Sequence, residues 1–133
     1  MGFLLSIIAL ILFVFVYILD EITVLVIDVK NRKWFKITAE RKFKKAFKVD
    51  VFANNLFPSF WNAALSKGGY QFGRFGETLS SVFGKKRLEK SLSWLGWLVS
   101  ILIDAIDFTK WNKGGHCIAS IMTDEAIESF IVK

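Results

Sequence analysis

The sequence predicts a mainly α fold: one N-terminal transmembrane helix and a small helical cytoplasmic domain, with a short β-hairpin over 22–38. Three observations carry that reading. An unbroken apolar run opens the chain. A dense window of lysine and arginine follows it. The remainder alternates helix-length apolar stretches with glycine-rich breaks and holds a single proline. The boundaries read as a membrane anchor over 1–20, a basic juxtamembrane segment over 21–50 and a small helical domain over 51–133.

The opening run, Phe3 to Leu19, carries no charge, proline or glycine, and Ser6 is its one clearly polar residue. As a helix rising about 1.5 Å per residue it reaches about 26 Å. With Gly2 it matches a thin hydrocarbon core of roughly 27–30 Å. Each Leu, Ile or Phe at mid-helix favours insertion by about 0.3–0.6 kcal/mol, so together they outweigh one serine easily. A cleaved signal peptide and a buried core helix are the competing readings. No lysine or arginine precedes the run, and Asp20 and Glu21 follow it where small residues would mark cleavage.

Orientation follows from the cations. Lys30, Arg32, Lys33, Lys36, Arg41, Lys42, Lys44, Lys45 and Lys48 stand against one acid, Glu40, between 30 and 48. Positive flanks stay in the cytoplasm, which points the C-terminal bulk to the cytoplasmic side of the membrane. Ile22 to Val29 is rich in β-branched residues, Lys30 to Lys33 is polar, and Trp34 to Thr38 alternates, the pattern of a hairpin. Residues 39–52 place Phe43, Phe47 and Val51 at i, i+4 and i+8, with lysines on the other faces. Next to an anchor, such a helix would set its phenylalanines into the lipid boundary and its cations on anionic headgroups, at about 1 kcal/mol per basic residue. Packing on a small core with solvated lysines is an equally weighted alternative. Nucleic acid binding is a weaker third, because no recognition motif accompanies the charge.

Downstream, Pro58 opens a short helix over 59–67 that Gly68-Gly69 stop. The connector from 68 to 76 holds four glycines among aromatics and lacks the G-K-S/T ending of a phosphate loop. Glu77 to Phe83 reads as a helix closed by Gly84, with a polar break at Lys85 to Arg87. Leu88 to Asp107 reads as the second strong helix. Its uncharged part, Ser91 to Ile103, reaches only about 20 Å and is short of a span. An interfacial or protein-buried position is the expected one. Thr123 or Asp124 caps a last helix carrying Ala126, Ile127 and Phe130.

Two motifs remain. Phe75-Gly76-Glu77-Thr78-Leu79-Ser80-Ser81 follows Gly68-Gly69, and His116-Cys117 precedes Ala119-Ser120. Together they resemble a group of short uncharacterised proteins encoded by tailed bacteriophages, over roughly 52–121. In this chain Phe75-Gly76 stands where that pattern has Pro-Asp, and Tyr70 to Arg74 lengthen the linker. The resemblance implies a phage origin and no particular activity.

A nucleophilic role for Cys117 needs a neighbouring base and an orienting carboxylate, and adjacent His and Cys side chains seldom supply that. One His and one Cys are also few for a metal site. The reading is therefore structural. Glu77, Thr78, Ser80 and Ser81 start a helix, and His116 and Cys117 hold a loop, with His116 bonded to Asp107 or Glu77. The two motifs form one latch between the connector and the last helix. No catalytic residue, metal or cofactor is expected. The function expected is contact with anionic lipid or with a host or phage membrane protein. A holin-type pore is the first alternative and nucleic acid binding through 30–48 the second.

Overall fold

The computed structural model describes residues 2–31 and 36–132, leaving aside the side chains of 31 and 36–39. It is mainly helical, with no strand among the described residues. The elements are α1 (Gly2–Asn31), α2 (Lys36–Leu56), α3 (Pro58–Ala64), α4 (Leu79–Leu88), α5 (Trp94–Ile106), a 3-10 helix (Phe108–Lys113), α6 (His116–Ala119) and α7 (Asp124–Ile131). The chain divides into two compact units, 1–43 and 44–133.

In the first unit, Gly2–Lys30 is long and apolar enough to cross a membrane, and none of its most apolar stretch is buried. At about 1.5 Å per residue α1 reaches about 45 Å, longer than a bilayer core of about 30 Å. Two of its hydroxyls turn back onto its own backbone. Ser6 Oγ donates to the Gly2 carbonyl at 2.9 Å and Thr23 Oγ1 to the Leu19 carbonyl at 2.8 Å.

The hairpin expected over 22–38 is not formed in the described residues. Ile22 to Val29 continues α1, and Lys36 to Thr38 begins α2. Trp34 and Phe35 lie outside the described residues. A two-stranded ribbon leaves edge N–H and C=O groups unpaired, whereas a helix satisfies them internally. Each β-branched residue costs a helix only about half a kcal/mol, which hydrogen bonding readily offsets.

In the second unit, local chemistry sets most helix ends. Pro58 stands at the start of α3, where it loses no helical hydrogen bond. Thr78, Ser93 and Thr123 cap α4, α5 and α7, each accepting from the backbone N–H three residues on. Asp124 and Glu125 add negative charge to the first turn of α7. Two expected boundaries move. Gly84 does not end α4, which runs on through Lys85, Lys86 and Arg87 to Leu88. The long second helix is divided, because Lys90 takes a positive φ of 57° and α5 begins only at Trp94.

The core gathers Leu65, Phe72, Val82, Phe83, Leu92 and Cys117, flanked by Trp61, Leu95, Val99 and Ile103. Phe72 and Phe83 meet edge to face at 5.3 Å between centroids. Full burial of a side chain such as Phe83 or Leu65 contributes about 1.5–3 kcal/mol. An antiparallel bridge joins Ser66 to Leu92, with Lys67 N donating to Ser91 O at 2.8 Å and Ser93 N to Leu65 O at 2.9 Å.

Two glycines serve this packing by closeness. A Cβ on Gly84 would run into the Cys117 carbonyl, and one on Gly96 into the Leu65 carbonyl. The glycine read as a helix stop is thus the point where α4 and α6 touch backbone to backbone.

Candidate functional site

Two sites follow from the sequence, the basic segment and the paired motifs. Of the basic residues, Lys30 lies at the exposed end of α1, and Arg32 and Lys33 lie outside the described residues. Lys36 opens α2. Within the first unit, Arg41 Nη1 is 3.6 Å from Asp28 Oδ1, and Lys42 lines a groove with Glu21, Ile22, Val24, Leu25 and Asp28. Two expected headgroup ligands therefore stand beside acids of α1. Lys44 and Lys48 are exposed and Lys45 is half-buried.

The phenylalanine stripe is not uniform. Phe43 is 65% exposed, whereas Phe47 packs tilted against Phe130 of α7 with centroids 5.5 Å apart and Val51 is buried. Phe47 and Val51 follow the core-packing reading, and Phe43 keeps an open ring.

Glu77 is the centre of the first motif. Its side chain is fully buried and accepts from Ser81 Oγ at 2.6 Å and Tyr70 OH at 2.6 Å. Lys85 Nζ lies 2.7 Å from its Oε1. Lys85 also donates to Tyr70 OH at 3.1 Å, and Arg74 Nη1 reaches the same phenol at 3.3 Å. Burial alone would depress the Lys85 ammonium. The hydrogen bonds to Glu77 and Tyr70, with the charge of the Glu77 carboxylate, together outweigh it and leave its pKa raised.

Thr78 spends its hydroxyl on the helix cap, and Ser80 N donates to Asp50 Oδ2 at 3.3 Å. Burial pushes the Asp50 carboxyl above its ordinary value. Asn54 closes the connector, donating to Glu77 O at 3.0 Å and accepting from Gly73 N at 2.9 Å.

The second motif is joined to the first. Met122 N, just past α6, donates to Ser81 Oγ at 2.9 Å, so one hydroxyl bonds both Glu77 and the end of the His116-Cys117 segment. His116 Nδ1 is 2.6 Å from Asp107 Oδ2, one of the two partners the sequence leaves open. Hydrogen bonds from Thr109 and then His116 hold the Asp107 carboxyl below its usual range.

Asp104 accepts the Cys117 N–H at 2.9 Å and pairs with Arg87. Burial opposes its ionisation, but these two partners together outweigh it and lower its pKa. Cys117 is fully buried, with Sγ 3.9 Å from the Ser100 carbonyl, and burial pushes its thiol up to about 12. A thiol held protonated and away from solvent is a poor nucleophile. Among the described residues, no group of three His, Cys, Asp or Glu side chains is placed to hold a metal.

Sequence reasoning missed Lys86. Lys85 to Arg87 reads as a polar break, yet Lys86 is fully buried and donates to Ser66 Oγ at 2.6 Å, Gly68 O at 2.6 Å and Tyr70 O at 2.8 Å. Its three N–H bonds fasten the glycine connector to α4. Desolvation lowers its pKa. A lysine at i+1 from a core-facing Lys85 carries no periodic mark of burial. Its acceptors, the connector carbonyls of Gly68 and Tyr70, are brought to it only by the fold.

In comparisons with family models, curated proteins and solved structures, nothing matches this chain.

Proposed function

We propose that this chain is a non-enzymatic membrane accessory protein of bacteriophage type, held in the host inner membrane by α1 and acting by contact. Its second unit faces the cytoplasm, and its contacts are anionic lipid and membrane protein. The observation that carries this reading is the most apolar stretch of α1, none of which is buried. Such a surface is unfavourable in water by about 25 cal/mol per Å² and is suited to hydrocarbon. The cations beyond it supply orientation, and Lys44 and Lys48 supply attraction to anionic headgroups.

The paired motifs fit a structural role within this reading. Glu77, Ser81 and Cys117 are fully buried, and their polar atoms are engaged with one another and with the backbone. A holin-type pore would need α5 as a second lining helix. One flank of α5 is packed through Gly96 and Ser100 against the protein, and its length is about 20 Å, so the contact reading is favoured.

Reconstitution into vesicles tests the proposal. The full chain is expected to float with liposomes at high salt and to leave an encapsulated dye inside. Rapid dye release would support the pore. Failure to float would remove the anchor and the proposed function with it.

A further inference from the structure

The outward face of α5 is apolar, where a helix in water carries polar residues. Its inward side packs Leu95, Val99 and Ile103 on the core, with Gly96, Ser100 and Asp104 beside them. Its outward residues are apolar: Trp94, Leu98, Ile101, Leu102 and Ile106 are between 46% and 81% exposed. They recur at i, i+4, i+7, i+8 and i+12 and so form one stripe. The next turn continues it, with Phe108 71% and Trp111 59% exposed.

The stripe is also held in place. Trp111 Nε1 donates to the Asp104 carbonyl at 2.7 Å, and Trp97 packs under the Arg87 guanidinium at 5.2 Å. The acids of this region are turned to protein partners, Asp104 to Arg87 and Asp107 to His116 and Thr109. Lys110 and the exposed Lys113 border the open aromatic end.

We infer that the face formed by α5 and the following 3-10 helix docks on the surface of an anionic bilayer. The inference rests on the membrane-anchor reading and adds to it a second, in-plane lipid contact made by the folded unit. Three features select lipid. Tryptophans at the ends of an apolar stripe match the boundary between headgroups and acyl chains. Lysines beside the stripe, with the nearby carboxylates already paired, complement anionic headgroups. The chain's own apolar helix keeps this face near a bilayer whatever the protein concentration, an effective-concentration advantage that a separate partner lacks. The stripe is too short to cross, so it lies in the interface.

Site-directed spin labels on the full chain in phosphatidylcholine–phosphatidylglycerol vesicles test the inference. Labels go at Ile101→Cys on the stripe, Glu125→Cys on α7 and Ile11→Cys in α1. The parent chain, with Cys117 buried, gives the background. The Ile101 label is expected to meet oxygen, to be shielded from a water-soluble nickel chelate, and to lie about 5–10 Å below the headgroup boundary. The Glu125 label should be open to nickel. Adding Lys110→Glu with Lys113→Glu should raise nickel access at Ile101, and no change would remove the anionic-lipid part of the claim.

An Ile101 label as open to nickel as Glu125, with Ile11 still shielded, overturns the docking and leaves the anchor standing. Nickel access at Ile11 overturns the anchor and the inference with it. An Ile101 label as deep as Ile11 makes α5 a span and overturns the in-plane contact. Spin–spin broadening at Ile101 that vanishes on dilution with unlabelled chain assigns the face to a second copy, and also overturns it.

Discussion

Replacing Glu77 with alanine removes the group on which the connector, α4 and the segment after α6 converge. The side chain is fully buried and bonded to Ser81, Tyr70 and Lys85. Breaking a buried ion pair by deleting one partner costs about 3–5 kcal/mol, because the other charge is left uncompensated. Lys85 keeps 18% of its side chain exposed, which lets water recover part of that and sets the pair near about 3 kcal/mol. The stranded Ser81 and Tyr70 hydroxyls add about 1 kcal/mol each where they find no new partner. The sum is about 3–5 kcal/mol, a large fraction of the stability of a domain this size.

Tryptophan fluorescence during urea unfolding of the full chain in mild detergent measures the change, with hydrogen exchange across 44–133 as a second probe. A double cycle with Lys85→Ala should show coupling well above about 1 kcal/mol, since the residues touch. A Glu77→Ala chain within about 0.5 kcal/mol of the parent would refute the latch.

Gly84→Ala should destabilise by about 1–3 kcal/mol although alanine is the better helix former by about 1 kcal/mol, because its Cβ would meet the Cys117 carbonyl and Ile121; a stabilised variant in the same urea experiment would contradict the close packing of α4 on α6. The Cys117 thiol, pushed up to about 12 and buried, should resist a disulfide reagent at pH 8 in the native chain and react promptly once unfolded; equal rates would place it at the surface. The pH dependence follows from Asp104, whose native pKa is lowered. Its contribution is fully present above the unfolded carboxyl value of about 3.9 and is lost as pH falls from there through the lower native value. Asp104→Asn should therefore cost stability at neutral pH and flatten the acid limb of a stability–pH curve, and an unchanged limb would remove the Arg87–Asp104 pair from the account.

What the sequence revealed was the chemistry of helix ends and of long apolar runs. The Phe3–Leu19 run, a cap at Thr123 or Asp124 and a bond from His116 to Asp107 or Glu77 come from local composition or short loops; the structure contains the run and takes Thr123 and Asp107. What misled was local propensity where a larger constraint decides. The β-branched Ile22–Val29 stretch resembles a strand, yet continuing α1 pairs its backbone without a partner ribbon. Gly84 resembles a helix stop, yet it is there because α6 comes close. Lys86 reads as part of a polar break, yet it bonds connector oxygens brought to it across 16 to 20 positions of sequence. The α5 stripe shows no polar alternation, and only the position of Ser100 and Asp104 on the inner side distinguishes its two faces.

The most direct measurement is alkaline carbonate extraction of bacterial membranes carrying the full chain with a C-terminal tag, followed by protease treatment of spheroplasts. The account predicts that the chain stays in the pellet and that the tag survives protease until the membrane is opened. Release of the chain into the carbonate supernatant would contradict the anchoring of α1, and a tag digested in intact spheroplasts would contradict the orientation set by its flanking cations.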